Sequence, residues 1–272
     1  MKAKTIDIVP FGGLGNRMRV LNSIGALQAK ADCEVELIWL IKAELNAPFS
    51  SLFKSASFPF TIANGLKYTL FLKFVKHIFI DKYTSIYRFI LGLFYDLVLF
   101  DEDVLNISEN QLLNLIKDKK KILISTCYAF FDFPSFDNFT PSDSVQQKLN
   151  SLELPKDLIG IHIRRTDHVE IIKDSSLDSY SKAIEEEISK NKTSTFYLAT
   201  DDYEVKEYYK KKLKKQLITQ DFELARDSET GIENALIDIL ALSKCTKLIC
   251  NSKSSFVVTA QRIAKTKEII EI

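Results

Sequence analysis

The sequence predicts an α/β protein built on parallel sheets, and three observations indicate this class. Strands and helices of ordinary length alternate through the second half of the chain. A strand, a glycine-rich turn and a helix open the first half, which is half of a βαβ unit. The chain of 272 residues is also long enough for two domains, each with its own hydrophobic core. We therefore expect an N-terminal domain at residues 1–150 and a C-terminal domain at residues 151–272.

The first domain begins with a predicted strand at Thr5–Pro10, directly followed by three glycines in four residues. Apolar residues at helical spacing then predict a helix over Asn16–Lys30. A second strand is predicted at Glu34–Leu40. This order places the glycine turn at the carboxyl end of the first strand.

The glycine turn, Gly12-Gly13-Leu14-Gly15-Asn16, lets the backbone bend sharply and approach a ligand. It matches neither the dinucleotide-binding fingerprint nor the P-loop. A tight turn required only for packing is one interpretation. A ligand site is the other, because main-chain N–H groups at a helix start favour an anion and Arg17 adds positive charge. Gly13, Gly15, Asn16 and Arg17 are therefore candidate binding residues.

Residues 42–100 are rich in Phe and Tyr without a clear period, and we read them as helices and loops that build acceptor specificity. The apolar stretch Ile86–Phe100 is interrupted by charge and is too short to span a membrane. With the basic residues around it, it fits either a buried helix or a helix lying on a membrane surface. A helix at Glu109–Lys117 and a strand at Lys121–Tyr128 end the first domain, and a helix at Pro141–Leu152 leads into the second.

The second domain is predicted to alternate strands with helices. The predicted strands are Leu158–Ile163, Thr195–Ala199, Gln216–Ile218 and Lys247–Cys250. The predicted helices are Leu177–Lys190, Tyr203–Leu213, Ile232–Leu242 and Ser254–Ala264. Such alternation is typical of a parallel sheet with helices on both faces.

Polar clusters follow three of these strands where each strand ends. They are Arg164-Arg165-Thr166-Asp167, Thr200-Asp201-Asp202 and Asn251-Ser252-Lys253-Ser254-Ser255-Phe256. Because the carboxyl ends of parallel strands share one edge of a sheet, the clusters should converge on one ligand. That ligand would have anionic and hydrogen-bonding parts.

The cationic and hydroxyl residues each have two interpretations. The guanidinium groups of Arg164 and Arg165 suit phosphate oxygens, or they answer nearby surface carboxylates. Ser254 and Ser255 suit a phosphate at the start of the last helix, or they simply cap that helix.

The acidic and aromatic residues also have two interpretations each. A carboxylate from Asp201 or Asp202 could accept two N–H bonds from guanine or bond a ribose, or it could cap the next helix. Phe256 could pack on a base or belong to the core. His162 precedes the arginines on the same strand.

Composition narrows the class of protein. The net charge is +1, so no overall basic field exists to hold a nucleic acid. The three histidines are too scattered to indicate a metal site, and none of the four cysteines forms a C-x-x-C pair. No signal peptide is predicted, and a reduced, cytoplasmic setting is expected, with peripheral contact to an inner membrane if the apolar helix lies on one.

Four blocks, in order, resemble one family. The Gly12–Arg17 block resembles the N-terminal G-G-L-G-N turn of the α-1,2-, α-1,6- and protein O-fucosyltransferase superfamily, and Ile161–Asp167 resembles its H-x-R-R-x-D motif. Phe196–Asp202 is similar to its third block, and Asn234–Cys245 followed by Ser254-Ser255-Phe256 is similar to its C-terminal block. Arg17 departs from the Gln of many α-1,2 enzymes, which favours the α-1,6 or nodulation-type branch.

The resemblance implies a GT-B fold of two Rossmann-like domains facing across a cleft, the first on the acceptor side and the second binding the nucleotide sugar. It implies a GDP-fucose donor, no metal and no other cofactor. Arg164 or Arg165, the former favoured, would neutralise the leaving β-phosphate. The other donor-binding candidates are Gly13, Gly15, Asn16, Arg17, His162, Asp167, Asp201, Asp202, Arg226, Ser254, Ser255 and Phe256.

The sequence thus predicts a glycosyltransferase that transfers fucose from GDP-fucose to a glycan acceptor with inversion, in polysaccharide biosynthesis. The alternative is a non-catalytic or differently specific nucleotide-sugar-binding protein. The general base, acceptor, linkage and oligomeric state are not specified by these motifs.

Overall fold

The computed structural model describes residues 4–42, 44–78, 84–132, 138–165, 176–221, 225, 227–264 and 268–272. The chain forms two compact units, Met1–Phe49 with Ser55–Thr140, and Ser50–Lys54 with Pro141–Ile272. The helix predicted before the domain boundary therefore lies in the second unit, because it packs against a helix of that unit.

The strands, in chain order, are β1 (Thr5–Pro10), β2 (Glu34–Leu37), β3 (Phe53–Ala56), β4 (Thr61–Ile62), β5 (Leu97–Leu99), β6 (Lys121–Thr126), β7 (Phe139–Pro141), β8 (Leu158–Ile163), β9 (Thr195–Thr200), β10 (Leu217–Ile218), β11 (Lys247–Cys250) and β12 (Glu268–Glu271). The helices are α1 (Leu14–Gln28), α2 (Phe49–Leu52), α3 (Gly65–Ile78), α4 (Thr84–Leu91), α5 (Asp101–Val104), α6 (Glu109–Ile116), α7 (Asp143–Ser151), α8 (Leu177–Lys190), α9 (Tyr203–Leu213), α10 (Glu229–Lys244) and α11 (Ser255–Ala264).

The first unit is organised on a parallel sheet in the order β4-β2-β1-β6-β5. β1 is central and buried from Ile6 to Pro10, as expected of a strand covered on both faces. α3 and α4 pack on one face of this sheet through Phe71, Leu91 and their neighbours. The glycine turn begins where β1 ends.

The second unit has a parallel sheet in the order β10-β9-β8-β11-β12. Every residue of β8 is buried. Gly160 on this strand allows close packing, because a Cβ there would lie only 2.5 Å from the Leu248 Cδ2 and 2.9 Å from the Leu242 Cδ2. Close packing against these leucines therefore explains why position 160 is a glycine.

The α/β class with parallel sheets is confirmed, and most predicted elements agree to within two or three residues. The reading of residues 42–100 as helices and loops was wrong in part, because β3, β4 and β5 lie there. These strands are two to four residues long, too short to show an alternating pattern. The last strand, β12, was not predicted either.

Candidate functional site

Alternation along β8 divides its side chains between the two faces of the second sheet. Ile161 and Ile163 pack into the cluster that contains Tyr180 and Tyr209, on the side of α8 and α9. Gly160 faces Leu242 and Cys245 of the α10 side instead. His162 shares the parity of Gly160 and therefore lies on this second side.

The two arginines that follow β8 act on different groups. The charge of Arg164 lowers the pKa of His162, whereas Arg165 is among the charges that act on Tyr209. Both side chains are partly buried. The two neighbouring charges therefore act on different aromatic side chains, Arg164 on His162 and Arg165 on Tyr209.

The His162 imidazole is buried and stacks on the Phe256 ring, with ring centroids 5.1 Å apart and an angle of 20° between the planes. Burial lowers the pKa of His162 to about 4, and the Arg164 charge adds to this shift while Asp201 opposes it. The imidazole is therefore neutral at neutral pH, with one nitrogen that donates and one that accepts.

Ser254 precedes α11 and is only 3% exposed. Its backbone carbonyl accepts the Val258 N–H, so the helix starts here. Its hydroxyl, however, has no hydrogen-bond partner among the described residues. The capping interpretation therefore does not describe this hydroxyl, which is an unsatisfied polar group at the start of the helix that also carries Ser255 and Phe256.

The two aspartates after β9 have separate positions. The Asp201 carboxylate accepts the Arg165 backbone N–H at 2.8 Å, which links the ends of β8 and β9. The Asp202 carboxylate accepts the Val205 N–H at 3.0 Å and caps α9. Asp202 therefore fits the capping alternative, and Asp201 stands at the shared strand edge.

A buried polar network lies behind this edge. The Asp238 carboxylate of α10 accepts hydrogen bonds from the Tyr197 hydroxyl, at 2.5 Å, and from the Gln220 amide. Lys206 donates to the Gln220 carbonyl at 3.1 Å. Burial raises the pKa of Asp238 to about 6. Asp238 therefore has a structural role as a buried hydrogen-bond acceptor.

The glycine turn of the first unit contains one glycine that the backbone requires. Gly12 has a φ of 75°, and a Cβ there would lie 2.7 Å from the Asn16 side-chain nitrogen. Gly13 is different, because its φ of −70° suits any residue and a Cβ there would meet nothing within 4 Å. Neither conformation nor packing explains the glycine at position 13. Gly15 is buried in the first turn of α1.

Arg17 is fully buried inside the first unit. Its Nε donates to the Gly12 carbonyl at 3.0 Å and its Nη1 donates to the Leu40 carbonyl at 2.7 Å. The guanidinium lies over the Trp39 ring, 4.9 Å from its centroid. Burial lowers the pKa of Arg17 to about 10, so it stays charged. Arg17 therefore ties the glycine turn to the segment after β2.

A second polar cluster at the edge of this sheet was missed. The Asp101 carboxylate accepts the Thr126 hydroxyl at 2.5 Å and the Cys127 N–H at 3.0 Å. Arg19 donates to the Cys127 carbonyl at 2.6 Å. Asp101 follows β5 and Thr126 ends β6, so the same strand-end rule would have found them had β5 been recognised.

Replacing Gly13 by serine should separate function from folding. Serine is a better N-cap than glycine and has room here, so the free energy of unfolding should stay equal or rise by a few tenths of a kcal/mol. If a ligand approaches this backbone, turnover of the substrate should fall about tenfold or more, since the side chain would obstruct it. Steady-state kinetics and thermal unfolding measure the two effects. Unchanged kinetics would show that the turn only packs.

Two of the predicted site residues, Asp167 and Arg226, lie outside the described residues. Within the described part, His162, Arg164, Asp201, Ser254 and Phe256 are brought to one edge of the second sheet, and no group of three His, Cys, Asp or Glu residues could hold a metal ion. The glycine turn ends a strand of the first sheet.

Comparison with known proteins shows which sequences and folds this chain resembles. Residues 137–267, just under half of the chain, match the family model for the alpha-(1,6)-fucosyltransferase N- and catalytic domains. No curated protein matches the sequence.

Solved structures with the same fold include fucosyltransferase NodZ from Bradyrhizobium, at a TM-score of 0.62 and 17% identity, covering 100% of this chain and 95% of that one. A mutant of Arabidopsis thaliana FUT1 in complex with GDP matches at a TM-score of 0.61 and 15% identity, covering 96% of this chain and 69% of that one. POFUT1 in complex with GDP-fucose matches at 0.59 and 12% identity, covering 100% and 98%.

The TM-scores and coverages establish the fold, which is that of GT-B fucosyltransferases. The family model matches at the level of sequence, over residues 137–267. The family-model match and the shared fold agree with the resemblance to the fucosyltransferase superfamily.

Proposed function

We propose that the protein transfers fucose from GDP-fucose to a glycan acceptor, without a metal and with inversion at the anomeric carbon. The second unit binds the donor at the carboxyl edge of its sheet. The unit formed by the first half takes the acceptor side, as proposed for residues 1–150. Structures of NodZ soaked with GDP-fucose and of POFUT1 with GDP-fucose support this choice of donor.

The observation that carries the proposal is the buried Ser254 hydroxyl that has no hydrogen-bond partner among the described residues. Leaving such a group unsatisfied costs about 1–3 kcal/mol. A phosphate oxygen at the start of α11 would satisfy it, together with the first N–H groups of the helix. Ser255 begins the same helix, which has ten residues.

Arg164 supplies the charge that this chemistry needs. As the bond between the anomeric carbon and the β-phosphate oxygen breaks, GDP leaves with the electron pair and negative charge grows on that phosphate. A fixed guanidinium stabilises the growing charge. The acceptor oxygen forms the new bond to the opposite face of the anomeric carbon and its proton passes to a base.

The neutral His162 completes the donor site. Held against Phe256, it offers one N–H donor and one nitrogen acceptor without adding charge beside the guanidinium of Arg164. Asp201, at the neighbouring strand end, is placed to contact the base or the ribose. Gly13, Gly15, Asn16 and Arg17 of the first unit remain predicted binding residues of the glycine turn, and Arg17 ties that turn to the segment after β2.

We further propose a cytoplasmic enzyme of polysaccharide biosynthesis, as the motifs predicted. Among the described helices, none combines the length and apolar character needed to cross a membrane.

Replacing Ser254 by alanine tests whether the buried Ser254 hydroxyl binds the donor. The variant should be more stable by about 1 kcal/mol, because a buried unsatisfied hydroxyl is removed. It should bind GDP about tenfold more weakly, since one hydrogen bond to a charged oxygen is lost. Thermal unfolding and titration calorimetry with GDP measure both.

Thr259→Val is the matched control, because the Thr259 hydroxyl is also buried in α11 but donates to the Ser255 carbonyl at 2.8 Å. It should not gain stability and should keep its affinity for GDP. A Ser254→Ala variant with unchanged affinity for GDP would remove Ser254 from the donor site.

A further inference from the structure

Helix α3 of the first unit exposes large apolar side chains on the face that points away from the core. Phe71 is buried, and Tyr68 and Leu72 are partly buried, in the cluster that covers one face of the sheet. Leu66 and Leu70, four residues apart, lie on the opposite side of the helix. The side chain of Leu66 is 76% exposed. Solvent-facing helix positions are usually polar, so this stripe needs a reason.

Helix α4 repeats the pattern. Leu91 is buried and Tyr87 partly buried in the same cluster, whereas Ile86 and Phe89 lie on the other side of the helix. Phe89 is 74% exposed. Both α3 and α4 therefore carry large apolar side chains on the side that faces solvent.

The residues directly after α4 extend the pattern. Leu93 and Phe94 are also largely exposed, while Tyr95 returns to the buried cluster. Because α3 and α4 pack into one cluster on one face of the sheet, their outer sides face the same direction. We call the set Leu66, Leu70, Ile86, Phe89, Leu93 and Phe94 the apolar face. A grouped set of exposed apolar side chains marks an interaction surface.

Charge around the apolar face indicates what covers it. Residues 65–94 contain five lysines and arginines against one acidic residue, although the whole chain has a net charge of only +1. Lys67 is held by Asp7 and Glu36 through ion pairs, and Arg88 is likewise paired with acidic neighbours. Lys73 is different, since it lies three residues after Leu70 on the exposed side of α3.

An apolar stripe bordered by lysine is the pattern of a helix that lies in the plane of an anionic membrane. We propose that the apolar face docks the protein on the surface of an anionic lipid bilayer. The Leu, Ile and Phe side chains enter the boundary between headgroups and acyl chains. Lys73 meets the anionic headgroups.

Vesicle flotation of the full chain tests this proposal. The protein should float with vesicles of phosphatidylcholine and phosphatidylglycerol, and less with phosphatidylcholine alone or at high salt, because exposed charges are screened. Phe89→Gln with Leu93→Gln should lower the bound fraction about tenfold or more. If that variant does not fold, Leu66→Gln with Leu70→Gln on α3 makes the same test.

The matched control is Tyr203→Gln, an aromatic residue 75% exposed on the second unit, which should bind vesicles as wild type does. Three results would overturn the proposal. They are no flotation with anionic vesicles, equal flotation of the Phe89 and Leu93 variant, or a soluble dimer that this variant converts to monomer without any vesicle binding. The last result would mean that a second copy covers the apolar face.

Discussion

Replacing Arg164 by alanine should lower kcat for fucosyl transfer by about 10²–10³-fold, whereas Arg165→Ala should cost less than about tenfold. The larger figure is that of removing one preorganised group that stabilises charge in a transition state. The two residues are neighbours with identical side chains, so each is the natural control for the other. We expect them to differ because their charges act on different neighbours.

The structure gives this difference a physical basis. The Arg164 charge acts on His162, which stacks on Phe256 beside the start of α11. The Arg165 charge acts on Tyr209, on the side of α8 and α9, and its backbone N–H is bonded to Asp201. Arg164 therefore acts on the residue that stacks beside the helix of Ser254, the proposed phosphate contact.

Single-turnover kinetics and GDP affinity together decide the role of Arg164. A group that acts on the leaving phosphate in the transition state should change the rate of the chemical step far more than the dissociation constant of GDP-fucose. Arg164→Lys should recover part of the rate, since a point charge replaces the planar fork. Equal losses at both arginines, or a larger loss at Arg165, would contradict the assignment.

The stability of the protein should respond to pH through two buried groups with opposite signs. The pKa of His162 is lowered by burial to about 4, and burial raises the pKa of Asp238 to about 6. Each shift is of the order of two units, which corresponds to about 3 kcal/mol of folding free energy. These are the largest stability effects that we expect from single side chains.

The direction follows from which state binds more protons. For His162 the unfolded chain binds more protons, so the stabilisation is complete above the unfolded pKa and is lost as pH falls through about 4. For Asp238 the folded chain binds more, so the stabilisation is complete at low pH and is lost as pH rises through about 6. Between pH 4 and 6 the two effects offset each other.

Single variants should reveal each trend. Asp238→Asn keeps an oxygen acceptor for Tyr197, and relative to wild type it should lose up to about 3 kcal/mol of stability as pH falls from 6 to 4. His162→Phe should show the reverse trend over the same interval. Urea unfolding at a series of pH values measures both. Parallel pH curves for wild type and both variants would show that neither group titrates in this range.

Much of the second unit could be predicted from its sequence, because β8, β9, β10 and β11 are each followed by polar residues and a helix. The rule that carboxyl ends of parallel strands share an edge was enough to group Arg164, Asp201 and Ser254. What it could not provide was the face on which each side chain lies. That depends on packing such as the contact of Gly160 with Leu242 and Leu248.

The first unit was harder to predict because some of its strands are very short. β4 and β5 are two and three residues long and lie beside apolar helices, so no period distinguishes them. Arg17 was predicted as a donor ligand because it follows the glycine turn. That role remains a prediction. The guanidinium lies over Trp39 and donates to the carbonyls of Gly12 and Leu40, while its Nη2 has no hydrogen-bond partner among the described residues. No local sequence signal marks a buried arginine.

Two measurements test the proposed transfer from GDP-fucose without a metal. The first is titration calorimetry of the full chain with GDP, UDP, ADP and dTDP. The second is NMR of the products formed from GDP-fucose in the presence of EDTA. We expect selective binding of GDP and release of GDP from GDP-fucose that EDTA does not reduce. Transfer to an acceptor should give the anomeric configuration opposite to that of the donor. Preference for another nucleotide, turnover of another sugar nucleotide in place of GDP-fucose, or complete loss of activity with EDTA would contradict it.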